Sequence, residues 1–287
     1  MTAQMYGATA KGVTASSGGG RVRGPRRNWG IGIYSVAILA ILLIPIVYTI
    51  VFSFNIPART NSTWRGFSLG NWINIFADQR VVDAFVTSIG VGVLATLVAA
   101  GLGTAIAIAL VRFRFRFRNG LTILLFLPMA TPEVVIGSGL GSQFLNVGVD
   151  KGLGTIIVAH IMFCISFVVI TVRARVSSLD PAIEEAGRDL YASPGQVWWR
   201  ITFPLLLPGI VAAALLSFAL SFDDFIITAF VRGSTETFPT YIYTAAVRAI
   251  PAQANVFASI IFLLASGVVV AQQLSAAARR RRLAREG

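Results

Sequence analysis

The chain has 287 residues, 55% of them hydrophobic and 13% charged, with a mean hydropathy of +0.75 and a formal net charge of +12. That composition excludes an ordinary soluble domain and points to a helical membrane protein. Its one cysteine, Cys164, excludes an internal disulfide, and neither of its two lysines, Lys11 and Lys151, sits in a phosphate-binding loop; with no Walker A site, any ATP hydrolysis is expected in trans, and no catalytic residue arrangement is assigned to the chain.

Residues 1–20 are rich in Gly, Ala, Ser and Thr, and 1–28 read as a mobile, basic tail. Six apolar stretches follow, near Trp29–Phe54, Ala84–Val111, Leu121–Leu145, Thr155–Val176, Leu207–Val231 and Val256–Ala278. Each reaches the ~20 helical residues that cross a hydrocarbon core of ~30 Å. The first is too long for the core of a signal peptide, and no small-x-small site follows it. The expected fold is an all-α integral membrane domain of six transmembrane helices over 29–278, closed by a basic tail at 279–287.

Between the second and third spans lies RFRFRFR at 112–118, and the last span ends on Arg279–Arg282. Interleaved aromatic and basic residues invite a single-stranded nucleic-acid reading. At the ends of membrane spans, however, they are topological anchors that meet anionic lipid, and no nucleic-acid partner is expected. Within the third span Glu133 follows Pro128 and Pro132, prolines that free backbone carbonyls and favour a kink. In the fourth span His160 and Cys164 share a helical face at i,i+4, the spacing of two metal ligands. No acid accompanies them, so a packed histidine beside a small buried thiol is the preferred reading and no metal site is assigned.

The loop 177–206 carries Glu184, Glu185, Arg188, Asp189 and Arg200 between two apolar spans, so it must meet water or another protein. Asp180 and Pro181 predict a helix from about Pro181 to Ala192. Ser193, Pro194 and Gln196 predict a second start of the capping-box kind. The segment resembles the EAA loop of type I ABC importer permeases: Glu-Ala-Ala, three residues, Gly, nine residues, Ile-x-Leu-Pro. Glu185, Ala186, Ile201 and Pro204 match, while Gly187 stands for the second Ala, Tyr191 for the Gly and Phe203 for the Leu. The resemblance implies a cytoplasmic coupling helix that docks on an ATPase. Glu184, Glu185, Ala186, Gly187, Arg188, Asp189, Tyr191 and Ser193 are then the coupling residues, with Glu185 the expected transmission point.

The fifth span carries Asp223 and Asp224 in its outer half. A central acid costs about 2.5–3.5 kcal/mol on insertion scales, and the span interiors hold no Lys or Arg to pair with it. Protonation, a cation from a second subunit and a cationic substrate all remain open as compensation, as does capping of a broken helix by one Asp. LPMATPEVVIG, LSFDDFIITAFV and ETFPTYIYTAAVR resemble stretches of the spermidine/putrescine-type permeases, with Phe238 in place of a Leu. This likeness runs from about residue 30 onward. It implies polyamine import, whereas ferric iron, thiamine and aminophosphonate permeases share the layout. A polyamine path needs spaced carboxylates and apolar surface for methylenes, for which Glu133, Asp223, Asp224, Phe222, Phe225 and Phe144 are the candidates. Adjacent Asp residues point about 100° apart on a helix, so one of the pair is expected to face the path.

Eighteen of the 24 Lys/Arg residues fall on the side of both termini and the 177–206 loop, and six on the other, so both termini are expected in the cytoplasm of a bacterial inner membrane. The resemblance further implies a second, similar permease subunit, two ATP-binding subunits that hold ATP and Mg, and an extracytoplasmic solute-binding protein. No cofactor is expected on this chain. The buried acids alone would also suit an ion-coupled carrier or a channel, and a membrane scaffold without flux is a third class.

Overall fold

The computed structural model describes residues 29–56, 63–246 and 250–286. The tail at 1–28, Arg59, Arg248 and the side chains of Arg279–Arg282 lie outside the described residues. The chain divides into two units, 1–45 and 46–287. The described part of the first is the beginning of α1 (Trp29–Ser53), whose Ile, Leu and Val side chains are exposed.

The second unit is built on α3 (Gln79–Arg112), which follows a one-turn helix α2 (Gly70–Ile73). Asp78 caps α3 by accepting the amides of Arg80 and Val81 at 3.1 and 3.3 Å. Along one face of α3 run Ala84, Ser88, Gly92, Ala95, Ala99, Gly103 and Ala107, all buried. Small residues at three- and four-residue spacing let helix backbones approach closely in a bilayer, where lipid tails are as apolar as the side chains. Two helices use that face: α6 (Leu153–Ser177) and α9 (Phe203–Asp223). A Cβ on Gly103 would lie 2.6 Å from Val168 of α6, and one on Gly92 would lie 2.9 Å from Phe218 of α9. The core between them holds Val91, Leu110, Ile156, Val168, Val172 and Leu206, among others. A second cluster gathers Val81, Phe238, Tyr241 and Phe257, with the Phe85 ring 4.6 Å from Phe257 and 5.7 Å from Phe238.

The first, second and fourth predicted spans correspond to α1, α3 and α6. The third does not form one straight helix. It divides into α4 (Arg118–Ala130) and α5 (Glu133–Asn146), bent by 107° at Thr131 and Pro132. Pro132 has no amide hydrogen to continue the ladder, and the residue before a proline is held out of the helical region. Glu133 therefore opens a helix rather than sitting mid-span. The fifth predicted span also breaks: α9 ends at Asp223 and α10 runs Ile226–Val231. After α11 (Phe238–Ala246), the sixth falls within α12, whose backbone continues from Ala252 to Glu286, past the expected end at Ala278. Among the described residues four helices are long and apolar enough to cross a membrane, or five with the bent pair counted as one span.

The two half-helices α5 and α10 pack on each other through glycine. A Cβ on Gly141 would meet the Phe230 carbonyl oxygen at 2.9 Å, and one on Gly137 would meet Phe230 and the Ile227 backbone at 2.8 and 3.1 Å. Replacing Gly141 by Leu should force these elements apart and destabilise the fold by about 1–3 kcal/mol, the range for overpacking. A lowered thermal midpoint in detergent, with less monodisperse protein on gel filtration, is the expected readout.

Candidate functional site

Two regions hold the residues singled out by the sequence. The first is the loop between α6 and α9. Its helix α7 (Ala182–Asp189) starts where the Asp180 carboxylate accepts the Ala182 amide at 2.9 Å. It ends three residues short of the predicted Ala192, in a double C-terminal closure. Tyr191 N–H donates to the Arg188 carbonyl at 2.9 Å and Ala192 N–H to the Gly187 carbonyl at 3.2 Å. This Schellman pattern requires a left-handed residue, ordinarily Gly. Here that residue is Tyr191, at φ +59°, the only non-glycine with positive φ among the described residues. Tyr191 occupies the glycine position of the EAA pattern, so the tight turn is kept at a conformational cost of roughly 1–2 kcal/mol. Its side chain is 98% exposed and gains no packing in return.

The predicted second start is present. Ser193 Oγ accepts the Gln196 amide at 3.3 Å, Gln196 Oε1 accepts the Ser193 amide at 2.9 Å, and Pro194 takes the first helical position of α8 (Pro194–Val197). The chain then runs through a five-residue π-helical stretch, Trp198–Thr202, directly into α9. The eight coupling candidates divide into two sets. Glu185, Ala186, Arg188, Asp189, Tyr191 and Ser193 are exposed, whereas Glu184 is half-buried and Gly187 buried. Ile201 presses on Gly187 so closely that a Cβ there would lie 2.7 Å from its Cδ1. An alanine at this position would push Ile201 aside, which gives the Gly187 departure from the pattern a steric reason. Glu184 Oε1 accepts from Arg112 Nη2 at 2.9 Å and from Thr202 Oγ1 at 3.1 Å.

The second region lies at the helix breaks. Glu133 opens α5 and Asp223 closes α9, and both line a cavity of about 470 Å³ together with Phe163, Leu220, Asp224 and Phe225. A neighbouring cavity of about 720 Å³ shares Asp223 and Phe225 and adds Phe222, Phe238 and Tyr243. The Phe225 ring lies 4.4 Å from that of Tyr243. Phe144 is not brought to either of these two cavities; it packs against the main core from the end of α5. Among the described residues neither Glu133 nor Asp223 has an ion-pair partner.

Asp224 differs from its neighbour. Its side chain is only 4% exposed, and Oδ1 accepts the Ile227 amide at 3.2 Å. Oδ2 accepts the Thr228 amide and hydroxyl, each at 2.8 Å, and lies 3.3 Å from His160 Nε2. The carboxylate thus caps α10 across the break. No Lys or Arg among the described residues pairs with Asp224; the amides of α10, the Thr228 hydroxyl and the His160 ring surround it instead. The other ring nitrogen, Nδ1, is 2.7 Å from Ser221 Oγ, and Nε2 is also 2.9 Å from Thr228 Oγ1. Cys164 Sγ lies 3.5 Å from the Ser217 carbonyl oxygen. His160 is therefore a packed histidine fully engaged by α9 and α10. No helical spacing marks this network, because Asp224 is extended between Ser221 on α9 and Thr228 on α10.

The chain matches the family described as binding-protein-dependent transport system inner membrane component over residues 99–283. It is 33% identical over 238 residues to the spermidine/putrescine transport system permease protein PotC of Haemophilus influenzae, covering 83% of this chain and 92% of that protein. It is 34% identical over 240 residues to PotC of Escherichia coli strain K12, covering 83% and 90%. With the putrescine transport system permease protein PotI of the same strain it shares 33% over 252 residues, covering 85% and 89%. Among solved structures, a bacterial ABC transporter that imports the acidic polysaccharide alginate matches in fold, with a TM-score of 0.60 and 17% identity over 87% of this chain and 97% of that one. The inward-facing methionine transporter MetNI matches with a TM-score of 0.53 and 15% identity over 66% and 90%.

Two substitutions test the geometry. Tyr191→Gly should relieve the left-handed strain and stabilise the turn by about 1 kcal/mol, seen as slower hydrogen exchange of the 190–193 amides; unchanged or faster exchange would contradict it. His160→Leu should leave the Asp224 carboxylate and the Ser221 hydroxyl each short of a partner, at about 1–3 kcal/mol. A lower thermal midpoint, partly recovered by His160→Gln, is the expected result.

Proposed function

The chain belongs to the binding-protein-dependent transport system inner membrane component family, as a permease subunit of a type I ABC importer, and we propose that its cargo is a polyamine of the spermidine or putrescine class. It is a multi-pass inner-membrane protein. The proposal includes the orientation read from its cations, with both termini and α7 in the cytoplasm. It also includes the partners: a second permease subunit, two ATP-binding subunits carrying ATP and Mg, and an extracytoplasmic solute-binding protein.

The observation that carries the cargo class is the placement of Glu133 and Asp223 on one cavity, where among the described residues neither has an ion-pair partner. Two such carboxylates at helix breaks attract a cation with more than one charge. Phe163, Phe225 and Leu220 on the same cavity, and Phe222 and Tyr243 on the next, offer apolar surface to the methylenes between its amines. Curated relatives named for spermidine and putrescine transport support the same reading. Asp224 shares the cavity wall but is committed to α10 and His160, so Asp223 carries the larger part in cargo contact.

ATP-driven approach of the two ATPase subunits would move α7 and switch the bundle between outward and inward access, a two-state element biased by nucleotide. Uptake of labelled spermidine by cells carrying the whole transporter tests the cargo assignment. Asp223→Asn should raise the apparent KM about tenfold, equivalent to about 1.4 kcal/mol, with the amount of inserted protein unchanged. An unchanged KM, or uptake of ferric iron, thiamine or an aminophosphonate in place of spermidine, would overturn it.

A further inference from the structure

The contacts that fasten α7 to the membrane-embedded body are few, and one of them is directional. Glu184, in the first turn of α7, takes both Arg112 and Thr202 on a single carboxylate oxygen, Oε1. Each bond leads to a different helix. Arg112 is the last residue of α3, whose other end carries Arg80 beside Glu236, at 3.4 Å. Thr202 closes the π-helical stretch at the foot of α9. The Arg112 and Glu184 side chains are 21% and 19% exposed. They are therefore screened less than a surface pair, and they escape the full desolvation of a buried one.

Little else holds α7 on that side. The Gly187–Ile201 contact is steric, and a cavity of about 370 Å³ lies against the loop, lined in part by Arg112, Glu184, Arg188, Trp198, Thr202 and Leu206. Glu185, Ala186, Arg188 and Asp189 are exposed, with Glu185 and Arg188 at the rim of the same cavity. A tilt of α7 would thus reach α3 and α9 together, through one carboxylate. At Trp198–Thr202 the ladder is already displaced from α-helical register, as π-helical segments at functional sites commonly are.

We propose that Arg112, Glu184 and Thr202 form the internal linkage that carries movement of the coupling helix into α3 and α9. Glu184 is a positioning residue that acts through Arg112, separate from the exposed face that meets the ATPase. The inference rests on the importer reading given above. It assigns Arg112 a role beyond that of a topological anchor.

The test is charge exchange in the intact transporter, purified with its ATPase subunits, reconstituted with the solute-binding protein and assayed for spermidine taken up per ATP hydrolysed. Arg112→Glu and Glu184→Arg should each lower that ratio at least tenfold while the ATPase still copurifies. The double exchange should return it to within about threefold of the unsubstituted protein. Where a single reversal does not accumulate, Arg112→Gln and Glu184→Gln carry the same test. Losses that do not add in the double variant support the linkage, and fully additive losses overturn it. No recovery in the double exchange, an unchanged ratio in the singles, or loss of the ATPase subunit from Glu184→Arg alone would also overturn it. Absence of spermidine uptake by the unsubstituted complex would instead refute the polyamine reading, and absence of a copurifying ATPase would refute the importer reading together with the linkage.

Discussion

Every backbone polar group freed inside a bilayer must find a partner within the protein, and the arrangement of this chain's membrane acids follows from that constraint. α9 stops at Asp223 and α10 begins three residues later, so the first amides of α10 lose their helical acceptors. Asp224 supplies acceptors to the amides of Ile227 and Thr228, and His160 and the Thr228 hydroxyl complete its shell. With that carboxylate committed, the break is held open in a fixed geometry. The adjacent Asp223 turns to the cavity that Glu133 reaches from α5. Two half-helices, packed through Gly137 and Gly141, thus bring two carboxylates from distant parts of the chain to one place.

The same logic separates the rigid from the adjustable parts of the bundle. α3, α6 and α9 meet through small residues and a close-packed aliphatic core, which resists continuous deformation. α7 has no such footing. It is fastened by one ion-paired carboxylate, one glycine contact and a turn closed by a left-handed tyrosine. A rigid body joined to a lightly held helix suits an element that answers to an external partner, because movement can enter without melting the core.

Much of this was legible in the sequence where local chemistry decides the outcome. Apolar length alone located α1, α3 and α6 to within a few residues. The Ser193–Gln196 box formed as its spacing predicts, since both partners lie within one turn. Pro128 and Pro132 announced a disturbance near Glu133, but a proline sets only that a helix is interrupted; the 107° bend depends on what α5 packs against. Tyr191 stands where the pattern has glycine, and the turn is nonetheless closed by hydrogen bonds to the Arg188 and Gly187 carbonyls. The His160–Asp224 contact joins residues 64 positions apart, so only the packing of α6 against α9 and α10 could reveal it. The same holds for Arg112 and Glu184, 72 positions apart, which read singly as a topological anchor and a coupling residue.

We propose that this permease passes a polyamine inward under the control of a separate ATPase subunit. The most direct measurement is ATP hydrolysis by the copurified complex in liposomes, with the solute-binding protein present and spermidine added or withheld. An ATPase subunit in the eluate and hydrolysis that rises on addition of spermidine are the expected result. Hydrolysis indifferent to polyamines, or transport activity with no ATPase subunit retained, would contradict it.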